Sequence, residues 1–357
     1  MKSTRRIVLS IIFWIAVAML ALIAAFLGYA TIGDFKPPAT GKLQITGNGS
    51  ASLVPADSTL TFYSWNTGYC GLGKEMDFLP EGGEMIRPSK EQYKSYREGV
   101  IYQLTTLDRP DFILLQEVDT LSKRTYRDNQ AKRIEASFSK YSAAYALNYK
   151  VNFVPVPLFR PVGKVTSGQL TLSKWSPVES ERHSFNSSYG WPKKLFMPDR
   201  CFILSRFNVT NGKQLVLINL HNSVFSNASD MPAIELASLK KVMEDEFLKG
   251  NYVIAGGDWN QNPLSYDSAA IKAGYKAYAI HPGIPSDFIA QNWQWAFDPS
   301  QPTNRKVDKP YEKAATPVTT IDFFVVSPNV ELKAAQTIET GFSYSDHQPV
   351  GIAVKLR

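Results

Sequence analysis

Cysteine and histidine are scarce in this chain. Its 357 residues include two cysteines, Cys70 and Cys201, and four histidines, His183, His221, His281 and His347. No Cys/His spacing resembles a zinc site, which excludes a zinc-stapled fold. The two cysteines could form one disulfide in an oxidising compartment or stay free. Any histidine chemistry must come from those four rings. A strong charge is missing too. The formal net charge is +7, and Lys2, Arg5 and Arg6 supply three of it; 39 basic residues less these three leave 36 against 32 acidic. That balance is too mild to argue for nucleic acid by itself. There is no internal repeat and no second linker, so one catalytic-size domain is expected.

The longest absence of charge is local. From Ile7 to Ala30 no residue is charged and nearly all are apolar. That length suits a helix crossing a bilayer, and the cationic flank keeps the N-terminus in the cytoplasm. A cleaved signal peptide is the competing reading, since "GYA" resembles a small-residue cleavage site. The run is long for a signal peptide, which favours a retained anchor. The expected organisation is a cytoplasmic tail (1–6), a transmembrane anchor (7–30), a Gly/Pro/Ser/Thr-rich linker (31–57) and a catalytic domain (58–357) outside the cytoplasm, periplasmic or extracellular.

What is present is a series of short apolar strands. "TLTFYSWN", "DFILLQEVD", "SGQLTLSKW", "CFILSRFNVT", "QLVLINLHNS", "NYVIAGGDWN", "TIDFFVVSP" and "PVGIAVKL" all read so. Helices are expected from about Ser89 to Leu107 and from Met231 to Leu248, the second capped by Asp230 with Pro232 in its first turn. Many strands with fewer helices give a layered α/β (α+β) class with mixed or antiparallel sheets. The segment from about 280 to 319 has no clear period, but Trp293 and Trp295 argue against disorder.

The strands end alike. Asn66, Glu117, Asn219 with His221, and Asp258 with Asn260 close apolar runs; Asp322 opens one, and Asp346 and His347 precede the last. Burying so many polar groups is costly without partners. A metal ion with a phosphate would satisfy them. Gly256 and Gly257 are expected to let the chain turn close to a substrate. On an extended chain Asp258 and Asn260 share a side, while Trp259 faces packing.

The ordered set "WN", "QEVD", "NLHN", "GGDWN", "IDFFVVSP" and "SDHQP" resembles the endonuclease/exonuclease/phosphatase superfamily, in the manner of a membrane-anchored bacterial-type member. That group includes deoxyribonuclease-type nucleases, neutral sphingomyelinases and inositol polyphosphate 5-phosphatases. The likeness runs from about Thr59 to Leu356. It implies a four-layer α/β sandwich, two packed mixed β-sheets flanked by helices, here behind an N-terminal transmembrane helix. It implies a hydrolase acting on ester bonds, attacking phosphorus with activated water and using Mg²⁺, or Mn²⁺ or Ca²⁺.

By that resemblance Glu117 is the principal metal ligand, supported by Asn66 and Asp346. Asp258 orients or deprotonates the water, and Asn260 donates to a phosphate oxygen. His347 contacts the phosphate or the nucleophile, with Asp322 holding its ring. His221 donates a proton to the leaving group or stabilises the transition state. Asn219 stands behind them, and His183 and His281 match no motif. The family's substrate-contacting tyrosine or arginine has no clear counterpart; Arg160, Lys164, Arg305 and Tyr311 are the candidates for clamping phosphate.

Tethering, with the apolar segments "NFVPVPLF" and "NWQWAF", favours a lipid headgroup or other small phosphoester as substrate. The alternative is an extracytoplasmic nuclease acting on DNA or RNA, disfavoured by the near-balanced charge. A non-catalytic receptor on this fold would not need Glu117, Asp258, Asn260, Asp322 and His347 together. The protein is expected to act as a monomer.

Overall fold

The run Phe112–Asp119 shows how the layers arise. Phe112 and Leu114 point into one core, and Ile113 and Leu115 into another. A strand covered on both faces reads as a continuous apolar run, because each successive side chain meets a different buried layer.

The computed structural model describes residues 2–224, 230–277 and 281–357. In chain order the elements are α1 (Lys2–Ile32), β1 (Thr40–Lys42), β2 (Ile45–Gly47), β3 (Thr59–Asn66), α2 (Lys90–Thr105), β4 (Phe112–Asp119), α3 (Gln130–Ser137), β5 (Ser142–Val154), β6 (Gly163–Ser173), β7 (Glu179–Ser184), β8 (Cys201–Asn208), β9 (Gln214–His221), α4 (Met231–Leu248), β10 (Tyr252–Asp258), β11 (Lys276–Ala277), β12 (Gln294–Ala296), β13 (Asn304–Arg305), β14 (Pro317–Thr319), β15 (Asp322–Val326), β16 (Val330–Thr337) and β17 (Val350–Leu356).

Two seven-stranded sheets result, ordered β1-β7-β8-β9-β10-β15-β12 and β16-β17-β3-β4-β6-β5-β2, beside a small β11-β14-β13 sheet. Both large sheets are mixed. β9 runs parallel to β10 and β3 parallel to β4, while their other neighbours are antiparallel. Phe62, Phe112, Leu114, Leu217, Ile254, Phe324 and Ile352 fill the space between the sheets. Tyr93, Val100, Leu104 and Ile134 cover the outer face of the second sheet, and Leu236, Leu239 and Met243 cover that of the first. The order is helix, sheet, sheet, helix, the expected four-layer sandwich. Each fully buried aliphatic or aromatic side chain contributes on the order of 2 kcal/mol.

α2 begins at a capping box: Gln92 N donates to Ser89 Oγ at 3.2 Å, and Ser89 N donates to Gln92 Oε1 at 3.0 Å. α4 has the expected span, but the Asp230 side chain makes no capping bond. Both thiols are free and buried, which settles the question left open for Cys70 and Cys201.

Three expectations need correction. The segment read as a linker is sewn into the domain: β1 pairs with β7, β2 pairs with β5, and Ser50 and Val54 bridge to Trp175 and Val209. Short polar segments take edge positions readily because they need backbone pairing on one side only. β5 and β7 add strands that the sequence does not announce, since both are rich in small and polar residues. Trp293 and Trp295 do not form an outward apolar loop. Trp293 meets Phe247 edge-on at 5.6 Å, and Trp295 packs against Phe288 and Phe323, under α4.

Candidate active site at the strand ends

The topology gathers the polar strand ends at one edge. Asp258, the last residue of β10, lies in register with His221 at the end of β9 and with Asp322 at the start of antiparallel β15. Asn66 ends β3 in register with Gln116 of β4. Asp346 and His347 enter just ahead of β17, which pairs antiparallel with β3. Of these, Asn66, His221, Asp258, Asp346 and His347 line a cleft of about 550 Å³.

Glu117 reaches the cleft through a local irregularity. β4 carries one extra residue against β6 between Leu115 and Val118, and Glu117 adopts a left-handed φ of 54°. Such a bulge re-aims a side chain that plain alternation would send elsewhere. Just below, Gln116 Nε2 donates to Asn219 Oδ1 at 2.8 Å, tying β4 of one sheet to β9 of the other.

Asp258 is the hub. Asn66 Nδ2 donates to its Oδ2 at 2.9 Å and lies 3.3 Å from Glu117 Oε1. His221 Nε2 is 3.3 Å from the same Asp258 oxygen and His347 Nε2 is 3.8 Å from it. The backbone N–H of Asn260 donates to Asp258 Oδ1 at 2.9 Å. Asn260 shares the cleft with Asp258, though not through an extended pleat. Its φ is 52°, and its Nδ2 donates to Asn222 O at 2.9 Å. Trp259 does turn away, stacked on Phe323 at 4.9 Å. The two glycines serve the sheet rather than a substrate. A Cβ on Gly256 would lie 2.2 Å from the Phe324 ring, and one on Gly257 2.0 Å from Leu220 O.

The two histidines are set apart electrostatically. Burial holds His221 well below its ordinary range, and the Arg200 and His347 charges push the same way. Burial alone would lower His347 as well, but the Asp322 and Asp258 charges overcome it and hold the ring well above. His347 Nδ1 sits 2.8 Å from Asp322 Oδ2, so that nitrogen donates. In the neutral ring Nε2 accepts from Asn304 Nδ2 at 3.0 Å; in the charged ring it donates, and Asn304 must turn its oxygen inward. Burial also raises Asp258, with Asp322 adding and His347 opposing.

Among the described residues, two groupings at the cleft could hold a cation. Asp258, Asp322 and His347 can bring ligand atoms within 4.8 Å of one another. There, however, Asp322 already binds the ring, and a doubly protonated imidazole has no lone pair to give. Glu117, Asp346 and Asn66 offer hard oxygen donors. Burial pushes the Asp346 carboxyl up to about 6, with the Glu117 charge adding and His347 opposing. A divalent cation would offset that cost, so this second set fits one.

The four expected phosphate clamps lie elsewhere. Arg160 and Lys164 are exposed beside the β5–β6 turn. Arg305 is buried, its guanidinium donating to the carbonyls of Leu72, Gly73, Met76, Lys306 and Lys309. Tyr311 packs on Phe342 at 4.9 Å. Lining the cleft instead are Arg124, Arg200, Lys306, Tyr69, Tyr149, Asn304 and His281. Arg124 binds Asp119 through two bonds of 2.9 Å and lies 3.6 Å over the Tyr69 ring. His183 stays outside, stacked on Phe202. No motif announced Asn304 or His281, since each sits in a segment without period.

No curated protein matches the sequence. Several solved structures share its fold. An endonuclease/exonuclease/phosphatase protein from Beutenbergia cavernae aligns at 14% identity and TM-score 0.52, covering 84% of this chain and 72% of that one. A truncated TDP2 from Caenorhabditis elegans aligns at 12% and 0.52, covering 83% and 98%. D. rerio TDP2, solved with a single-strand DNA product, aligns at 14% and 0.50, covering 84% and 99%. The sequence profile described as "Endonuclease/Exonuclease/phosphatase family" matches residues 63–347. The chain belongs to the endonuclease/exonuclease/phosphatase family, whose members are hydrolases of phosphoesters.

Proposed function

We propose that this protein is a membrane-tethered, divalent-metal phosphoesterase whose substrate is a lipid headgroup or another small phosphoester. One observation carries the chemistry: Asp258 stands in register between His221 and Asp322, with His347 held over it, beside the acidic pair Glu117 and Asp346. Tethering rests on the uncharged run of α1, whose apolar side chains are exposed along Ile7–Ile23.

Glu117, Asp346 and Asn66 would hold Mg²⁺, which supplies polarisation of a phosphoryl oxygen and stabilises charge on the leaving oxygen. Asp258 orients the water and takes its proton; the His347 charge nearby opposes the burial that raises this carboxyl. Asp322 fixes the His347 ring, whose positive charge then stands beside the phosphoryl oxygens with its Nε2–H shared with Asn304. His221, kept neutral, gives a hydrogen bond to the leaving oxygen. Asn260 keeps one amide hydrogen for phosphate while the other holds Asn222.

A substrate panel tests this: vesicles carrying sphingomyelin or phosphoinositide, plasmid DNA and bis(p-nitrophenyl) phosphate, with Mg²⁺ or EDTA. Release of headgroup from vesicles with intact plasmid is expected. Plasmid nicking with inert vesicles would make it an extracytoplasmic nuclease, the reading to which the TDP2 likeness lends some support. Asp258→Ala and His347→Ala should each lower kcat by about 10³-fold, the usual weight of a positioned acid or base. His183→Ala should leave it unchanged. Full activity in EDTA would remove the metal from the scheme.

A further inference from the structure

α1 does not simply lead into the domain. Near its end the Phe26 ring stacks on Phe196 at 5.8 Å and meets Phe153 edge-on at 6.2 Å. One turn later, Trp191 Nε1 donates to Thr31 Oγ1 at 3.3 Å. The helix end is therefore docked on the far end of β5 and on the turn 191–196. From Ile7 to Phe26 a helix rises about 29 Å, the thickness of a hydrocarbon core, so this docking falls at the level of the headgroups.

The register of the sheet says where β5 points. Asp119, the last residue of β4, pairs with Ser167 of β6, and Tyr149 of β5 pairs with the same Ser167. The hairpin beyond them, roughly residues 150–166, projects past the edge at which the cleft opens. Its tip is apolar and uncovered: Val156 is 61% exposed, Leu158 78% and Phe159 93%. Trp191, on the turn that holds α1, is 58% exposed. Around them stand the exposed cations Arg160, Lys164, Lys193 and Lys194. A soluble surface has no use for a bare Leu-Phe tip beside a membrane helix; a leaflet with anionic headgroups matches both the apolar tip and its basic rim.

The same parts form the cleft wall. Tyr149 lines the cleft, and its hydroxyl donates to Phe196 O at 2.7 Å, the residue whose ring stacks on Phe26. Arg200 lines both the cleft and the neighbouring groove walled by Asp34, Phe35 and Lys36, just after α1.

We infer that the β5–β6 tip, Val156 to Phe159, is a second membrane-inserting element that acts with Trp191 and α1 to hold the mouth of the cleft against an anionic bilayer. This rests on the tethered reading above, and it gives Arg160 and Lys164 lipid phosphates to meet rather than the scissile one.

The test uses the full chain reconstituted in phosphatidylcholine vesicles containing phosphatidylglycerol. Cys70 and Cys201 are buried, so a fluorophore attaches to one new thiol, in Phe159→Cys or in Leu248→Cys as the comparison. Leu248 is exposed at the end of α4, and α4 ends where β10 begins, opposite the cleft. Lipids carrying a nitroxide in the acyl chain should quench the Phe159 probe at least roughly twofold and leave the Leu248 probe bright. Equal quenching at both positions, or none at Phe159, overturns the inference. Quenching at Phe159 with no headgroup released from sphingomyelin or phosphoinositide vesicles would leave the insertion standing and sink the lipid-substrate reading instead. In turnover, Leu158→Ser with Phe159→Ser should raise KM for a vesicle-borne substrate about fivefold or more and leave kcat/KM for bis(p-nitrophenyl) phosphate unchanged. An unchanged vesicle KM counts against it.

Discussion

Asn304 and Arg305 are adjacent in β13, yet only one of them faces the cleft. A strand turns successive side chains to opposite sides, so Asn304 meets His347 while Arg305 is driven inward among backbone carbonyls. A cation suits phosphate, so the sequence points to the arginine; in the fold that cation holds residues 72–76 against 306–309. The two substitutions should therefore separate. Asn304→Ala removes a hydrogen bond to a ring that becomes charged, worth about 1.5–3 kcal/mol, so kcat should fall roughly 10- to 100-fold with stability nearly unchanged. Arg305→Met leaves buried carbonyls without a donor and should cost about 3 kcal/mol in a urea melt, while the folded fraction keeps its kcat. Equal losses of kcat from both would show that Asn304 is structural too.

At the scale of elements, the strands that could be read were those buried on both faces. β4, β9, β10 and β15 announce themselves as apolar runs, and their terminal Glu117, His221, Asp258 and Asp322 were legible for that reason. β5 was not, because its Ser, Ala, Asn and Lys give no clean period, and with it went the view of where the apolar tip sits. The bulge that aims Glu117 leaves no trace in "QEVD". Nor does the contact that binds β8 to α4, where Arg206 grips Glu246 through bonds of 2.6 and 2.9 Å. Burial would raise the Glu246 carboxyl, but Arg206, Lys249 and Asn251 hold it down at about 2, against an ordinary 4.5. A depressed carboxylate stabilises the fold fully above its unfolded pKa and loses that contribution as pH falls toward the folded value. Between pH 4.5 and 2 the pair should lose on the order of 2 kcal/mol. Urea melts from pH 6 down to pH 3 should show Glu246→Gln less stable than the parent at pH 6 and the gap closing toward pH 3. A gap that does not narrow would mean the carboxylate carries no linkage.

At the scale of the whole molecule, the cleft lies on the seam between the two sheets. Asn66 and Glu117 come from one sheet, and His221, Asp258 and Asp322 from the other. Asp346 and His347 arrive last in the chain, just ahead of β17, so the site forms only once that strand has paired with β3. A cation that binds the folded chain must then stabilise it by mass action, about 2.7 kcal/mol at a hundredfold excess over Kd. For a chain of this size that is a rise in Tm of roughly 4 °C. The size of the shift in variants identifies the ligands without any turnover. Glu117 and Asp346 supply carboxylates that lack an equal positive charge, whereas Asp322 is already committed to the His347 ring. In the full chain in detergent, Glu117→Gln and Asp346→Asn should abolish the Mg²⁺-dependent rise in Tm, and Asp322→Asn should keep most of it. The opposite pattern would move the cation to the Asp258, Asp322 and His347 cluster, and would then require His347 to give up a proton before binding it.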